Sequence, residues 1–276
     1  MDLVESDIDS LFGSPSESSV SLKPAAKLVC PPIPGLYFIS DPLISPSEQE
    51  SLMDDCLTTY FRNGDVNQIM LFERLIDSPT PSSSRCNSKA RVSSASQLPS
   101  FLTTLLDSLS SRLKPHLPLK IYSTLFPDFQ SSSSSKARQV IINTYLPGEG
   151  ITPHVDLLDR YDDGIFGLSL GSGCVMRFRP ATEAIAKAGY SATTATEDET
   201  GEECGVYLPP GSVYVMTGDA RYKWTHGIEE VYEDYVEHRE GDEELSEGSW
   251  VSRSFRISIT FRWMLPGADV VGSGAL

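Results

Sequence analysis

The sequence predicts a mainly β fold of jelly-roll type, with helices confined to its N-terminal part. Three observations carry this. Beyond residue 138 the apolar residues alternate in short runs separated by Gly and Pro turns, the signature of many short strands. Upstream, two segments show helical spacing with start and stop signals. At 276 residues and 39% hydrophobic content the chain suffices for one large core or two small ones.

In chain order, residues 1–29 are rich in Ser, Asp and Glu and read as a disordered tail. Within it, residues 7–12 set Ile8, Leu11 and Phe12 among acids, the make-up of a short docking peptide for a protein partner and one that such tails also produce by chance. Folded structure starts near Gly35-Leu36-Tyr37-Phe38-Ile39. Ser45, Pro46 and Glu48 then form the N-cap, N1 and N3 of a capping box, with Leu52, Met53, Cys56 and Leu57 on one helix face. Residues 78–97 lack periodicity and read as a long loop. Leu98, Phe101, Leu102, Leu105, Leu106, Leu109 and Leu113 follow with helical period until Pro115 stops them. A Ser run at 131–135 is a linker, and strands are expected at 139–146, 165–170, 174–179, 205–208, 212–216 and 254–263.

Composition excludes several classes. No stretch approaches the roughly 18 apolar residues of a membrane helix, and the acidic N-terminus is unlike a signal peptide or presequence, so the cytoplasm, the nucleus or both are expected. The five cysteines are odd in number and form no CxxC pair, which argues against a disulfide framework or a thiolate zinc site. The net charge of −16 would seem to exclude nucleic acid, but residues 197–203 and 229–247 together carry −14 of it. Both segments read as solvated acidic loops, and the remainder of the chain is close to neutral.

Of the four histidines, His116 sits in a loop and His238 in an acidic segment, where solvated roles fit. His154 follows a Gly-rich turn and leads into Asp156, and in an extended chain His-x-Asp puts both side chains on one face. His226 follows the strand expected at 212–216, and a jelly roll can return such a distant segment beside the first. Two His and one carboxylate suit non-heme Fe(II) and O2 chemistry, with zinc as the inorganic competitor. The last strand has a clean period of two: Phe255, Ile257, Ile259, Phe261 and Trp263 face one way, and Arg256, Ser258, Thr260 and Arg262 the other. On its own the polar face is an ordinary solvated surface. Beside a metal triad, two arginines about 20 Å apart along the strand could address opposite ends of a small dicarboxylate. Asn143 and Tyr145 share a face on another expected strand.

The run Asn143-Thr144-Tyr145-Leu146-Pro147-Gly148-Glu149-Gly150-Ile151 with His154-x-Asp156, then GLSLG at 167–171, MTGDARYKWTHGI at 216–228 and Arg256-x-Ser258-x-Thr260-x-Arg262, resembles the AlkB family of Fe(II)/2-oxoglutarate dioxygenases over about residues 35–265. The 216–228 segment is most similar to the branch that hydroxylates a modified wobble uridine in tRNA. The resemblance implies a double-stranded β-helix core at 138–265, with 229–247 as an acidic insertion. It implies an N-terminal helical cover and substrate-recognition region at 35–130, where Arg62, Arg74, Arg85, Lys89 and Arg91 would serve a phosphate backbone or an ordinary soluble loop. It implies Fe(II) on His154, Asp156 and His226, and 2-oxoglutarate held at its distal carboxylate by Arg256 and Tyr145, with Asn143 and Arg262 near the chelating end. Consumption of O2 and decarboxylation of 2-oxoglutarate would then drive hydroxylation or demethylation of a modified nucleobase, RNA favoured over DNA. Two positions depart from the pattern: Ser258 stands where the bacterial repair enzyme has Asn, and Leu158 where repair members have a base-contacting acid, with Asp159 one step off. Those departures and the acidity leave two other readings, an oxygenase of protein or small molecules and a non-catalytic binding module.

Overall fold

The computed structural model describes residues 23–75, 98–127, 136–181, 203–238 and 248–268. Four sequence expectations therefore lie outside the described residues: residues 7–12, the loop 78–97 with Arg85, Lys89 and Arg91, the Ser run 131–135, and the acidic stretches 197–202 and 239–247.

The fold is mainly β with a few helices, as expected. Strands are β1 (Leu36–Ile39), β2 (Gln68–Leu75), β3 (Lys136–Tyr145), β4 (Ile151–His154), β5 (Tyr161–Gly171), β6 (Cys174–Pro180), β7 (Cys204–Leu208), β8 (Val213–Met216), β9 (Trp224–Ile228), β10 (Glu233–Glu237), β11 (Gly248–Ser252) and β12 (Arg256–Met264). Among the described residues they form an antiparallel six-stranded sheet ordered β1-β8-β5-β12-β3-β2, a four-stranded sheet ordered β4-β9-β6-β7, and the hairpin β10-β11.

The helices follow their sequence signals. Helix α1 (Pro46–Tyr60) starts on the expected capping box, with Glu48 N donating to Ser45 Oγ at 3.3 Å and Ser45 N to Glu48 Oε2 at 2.6 Å. Helix α2 (Ser100–Leu113) buries Leu102, Leu105, Leu106, Leu109 and Leu113, and a short α3 (Leu119–Leu125) follows. These side chains form one core with Val140, Ile142, Leu168, Ile257, Ile259 and Phe261, so the helices back the outer face of the six-stranded sheet. The described helices of 35–130, expected as a cover, thus pack behind this sheet. What the N-terminal part brings to the inner face is β2, paired along β3 from Gln68↔Asn143 to Leu75↔Lys136. Arg74 falls on this strand and Arg62 is exposed just after α1.

Two acidic or tail segments are also more ordered than their composition implies. Residues 23–29, expected in the tail, are placed: Ala26 N donates to Tyr235 O at 2.9 Å and Lys27 N to Gly205 O at 2.8 Å, which stitches β10 to β7. The described part of the acidic insertion, residues 229–238, supplies β10, which pairs with β11 just beyond the insertion; Asp234 is buried and takes a two-pronged ion pair from Arg253, both contacts at 2.7 Å, while Val236 packs with Ala26 and Val175. Alternation along Glu233–Glu237 puts every second residue inward, so charge alone misreads this stretch as solvated loop. Among the described residues no helix is long and apolar enough to cross a membrane.

Candidate metal and dicarboxylate site

The inner face of the six-stranded sheet is set by register. Across β12, Arg256 pairs with Tyr145 and Gly171, Ser258 with Asn143 and Ser169, Thr260 with Ile141 and Gly167, and Arg262 with Gln139 and Ile165. Because residues directly opposite project to the same face, one polar row of β12 and its neighbours line a cavity of about 320 Å³ between the two sheets. Gly167 leaves room for the Tyr214 ring, which also lines the cavity: a Cβ at Gly167 would come within 2.4 Å of that ring.

The four-stranded sheet closes the other side with β4 and β9, whose antiparallel register places His154 opposite His226, ring centroids 4.4 Å apart. Asp156 lies two residues beyond the end of β4, and its Oδ2 is 3.6 Å from His226 Nε2. The ligand atoms of His154, Asp156 and His226 all lie within 4.8 Å of one another and could hold one metal ion. His154 Nδ1 lies 2.9 Å from the Thr152 carbonyl, which can only accept, so Nδ1 carries the proton and Nε2 offers its lone pair to the cavity. Burial lowers the pKa of both imidazoles, His226 well below its ordinary value with help from its neighbours His154 and Arg221, and neutral imidazole is the metal-binding form.

Arg262 meets this cluster directly. Its Nη1 donates to Asp156 Oδ1, its Nε to Gln139 Oε1 at 2.8 Å, and its guanidinium lies 3.6 Å from the Tyr161 ring centroid. Burial lowers its pKa to about 9, which leaves it a cation at neutral pH.

Arg256, 4% exposed, donates from Nε to Ser169 Oγ at 3.0 Å, and its guanidinium lies 5.1 Å from the Tyr145 ring centroid. Among the described residues its Nη1 has no hydrogen-bond partner, and neither does the buried Tyr145 hydroxyl, which lies toward Ser258 and Asn143 without meeting either at bonding geometry. Burial pushes the Tyr145 pKa up despite Arg256 nearby, so it stays a neutral donor. Two unspent donors beside one cationic fork fit a carboxylate. Asn143 also lines the cavity, its Oδ1 accepting from Gln68 Nε2 at 2.8 Å.

All seven site residues singled out in the sequence thus line one cavity. Others went unseen: Ser169 and Gln139, which hold the two arginines, and Asn67, Gln68 and Met70 at the β2 side. Gln139 shares the period of Ile141, Asn143 and Tyr145 and was findable; Asn67, Gln68 and Met70 depend on a pairing that no local pattern announces. Leu158 and Asp159 are absent from the cavity lining, and Asp159 is exposed.

Set beside known proteins, residues 35–262 match the sequence profile of the 2OG-Fe(II) oxygenase superfamily. The chain is 32% identical over 167 residues to an "Alkylated DNA repair protein ALKBH8 homolog" of Arabidopsis thaliana, covering 60% of this chain and 42% of that protein. It is 35% identical over 130 residues to the "tRNA (carboxymethyluridine(34)-5-O)-methyltransferase alkbh8" of Xenopus tropicalis, 45% of this chain and 18% of that one. It is 30% identical over 152 residues to an "N6-methyladenosine RNA demethylase ALKBH" of Cryphonectria parasitica, 51% and 60% of the two chains. The chain spans less than two thirds of the length of each of these relatives.

Proposed function

The chain belongs to the 2OG-Fe(II) oxygenase superfamily, with AlkB-family relatives, and from that premise we propose that it couples decarboxylation of 2-oxoglutarate to hydroxylation or demethylation of a modified nucleobase, RNA favoured over DNA. The observation that carries this is the convergence in one cavity of two neutral imidazoles, one carboxylate, and a buried Arg256 and Tyr145 with unspent donors. His154, Asp156 and His226 hold the metal, Arg256 and Tyr145 take the distal carboxylate of 2-oxoglutarate, and Asn143 and Arg262 stand toward its other end. When bound, Fe(II) and 2-oxoglutarate together supply the activation of O2. The remaining work is done by the chain: Arg262 orients Asp156, Ser169 orients Arg256, and Ile151, Ile228 and Met176 keep one wall of the cavity apolar.

RNA is favoured because two of the three relatives above bear names that state an RNA or tRNA activity. The charge of the cavity narrows the base. Asp156 is the only carboxylate lining it among the described residues, and that group is already paired with Arg262. A base made cationic by methylation finds no unpaired carboxylate there, whereas a neutral base finds the amides of Asn67, Gln68 and Asn143. Leu158, at the position where repair members have a base-contacting acid, points the same way.

The test is succinate formation from 2-oxoglutarate by anaerobically Fe(II)-loaded protein exposed to air, with and without bulk tRNA. Stimulation by tRNA, abolished in His154→Ala and Arg256→Ala, is the expected result. Turnover indifferent to tRNA overturns the substrate half in favour of DNA, protein or a metabolite, and no turnover without detectable metal binding overturns the whole.

A further inference from the structure

The three ligands differ in what fixes their backbones. His154 and His226 sit opposite each other in the β4-β9 ladder, held by sheet hydrogen bonds. Asp156 does not: β4 ends at His154, and residues 155–160 form the turn that leads into β5. The backbone at Asp156 is instead gripped by Arg221, one of the largest fully buried side chains, on helix α4 (Gly218–Tyr222). Arg221 Nη1 donates to the Asp156 carbonyl at 3.0 Å, and Nη2 donates to the Leu157 and Tyr161 carbonyls at 3.3 and 3.2 Å. The guanidinium lies 4.8 Å from the Tyr222 ring centroid. A buried cation spent on backbone carbonyls is an expensive way to hold an ordinary turn, since desolvating a charge costs several kcal/mol. This turn begins at a metal-ligand candidate, and Arg221 stands five residues before another, so the single segment 218–228 both delivers His226 to β9 and pins the backbone of Asp156.

We infer that Arg221 is a positioning residue of the metal centre, whose fork on the carbonyls of Asp156, Leu157 and Tyr161 holds the carboxylate ligand in register with the two sheet-borne imidazoles. The inference rests on the reading of His154, Asp156 and His226 as the metal ligands. Arg262 fixes the Asp156 side chain and Arg221 its main chain, and the two arginines reach it from different elements, β12 and α4. A lysine keeps the charge and much of the length but cannot bridge three carbonyls as a planar fork does.

The experiment titrates Co(II), a coloured stand-in for Fe(II), into wild type, Arg221→Lys, Arg221→Met and His154→Ala, with the thermal midpoint of each metal-free protein recorded alongside. The expected result is Co(II) affinity weakened about 10- to 100-fold in Arg221→Met, and by less in Arg221→Lys, with folded far-UV spectra. A lowered midpoint with Co(II) affinity within twofold of wild type would overturn the inference, because it leaves Arg221 a staple of the turn and nothing more. Should Arg221→Met be recovered unfolded, Arg221→Lys carries the same comparison. His154→Ala separates the two layers: if it binds Co(II) as tightly as wild type, the triad reading itself fails, whatever the Arg221 variants do.

Discussion

The two faces of β12 do opposite work on one backbone. Its outer face carries Ile257, Ile259, Phe261 and Trp263, all buried: the first three in the apolar core shared with the helical layer, and Trp263 under the Arg138 guanidinium with its Nε1 donating to the Leu125 carbonyl of α3. Its inner face carries Arg256 and Ser258, both buried, and Thr260 and Arg262, both partly buried, and it faces a cavity with the Arg256 Nη1 donor left unspent. Folding alone favours the first arrangement and penalises the second, since an unpaired buried donor costs about 1–3 kcal/mol. A period of two in the side chains therefore keeps stability and chemistry a pleat apart, and substitutions on adjacent residues should report on different quantities.

The largest effect is expected on the outer face. Phe261 is fully buried and stacks on Phe166 with ring centroids 4.9 Å apart, so Phe261→Ala should cost about 3–5 kcal/mol of unfolding free energy in chemical denaturation. The KM for 2-oxoglutarate of the folded fraction should stay within about threefold of wild type. A tenfold shift would break the separation of the faces.

On the inner face the signature inverts. Arg256→Met removes a guanidinium that has one hydrogen bond to Ser169 and an unpartnered Nη1, and it should change unfolding free energy by no more than about 1 kcal/mol. The same change deprives the distal carboxylate of 2-oxoglutarate of its charged donor. KM for 2-oxoglutarate should rise about 10- to 100-fold, which corresponds to about 1.4–2.8 kcal/mol. Loss of stability comparable to that of Phe261→Ala, with KM unmoved, would make Arg256 a structural residue.

That separation was legible wherever alternation or helical period ran long enough. The nine residues of β12 and the leucine spacing of α2 declared both their elements and their buried faces. The strands that present the histidines did not. β4 and β9 have four and five residues, contain Pro153 and Gly227, and give polar positions to chemistry, so little apolar signal is left in them. Arg221 was visible inside a motif, but its acceptors are backbone carbonyls about sixty residues upstream, which carry no side-chain signature at all. The hairpin β10-β11 hid for a third reason: its inward Asp234 is compensated by Arg253, nineteen residues away, and composition registers only the acid.

The smallest expected effect lies furthest from the cavity, where charge too should act on stability alone. Glu48 of the α1 capping box also takes a two-pronged contact from Arg112 of α2, and that partner, with the Ser45 amide, holds its pKa at about 2. In the unfolded chain the group titrates near 4.3. A depressed folded pKa contributes stability that is present above about pH 4.5 and is lost as the pH falls toward 2. Both side chains are more than a third exposed, so solvent screening reduces the contribution to about 1 kcal/mol or less. Glu48→Gln should therefore lower stability slightly at pH 7 and become indistinguishable from wild type near pH 2, while turnover at pH 7 stays unchanged. A pH-independent deficit would assign the loss to the cap's neutral hydrogen bonds, and any loss of turnover would mean that the helical layer reaches through the sheet to the inner face, against the division that β12 otherwise draws.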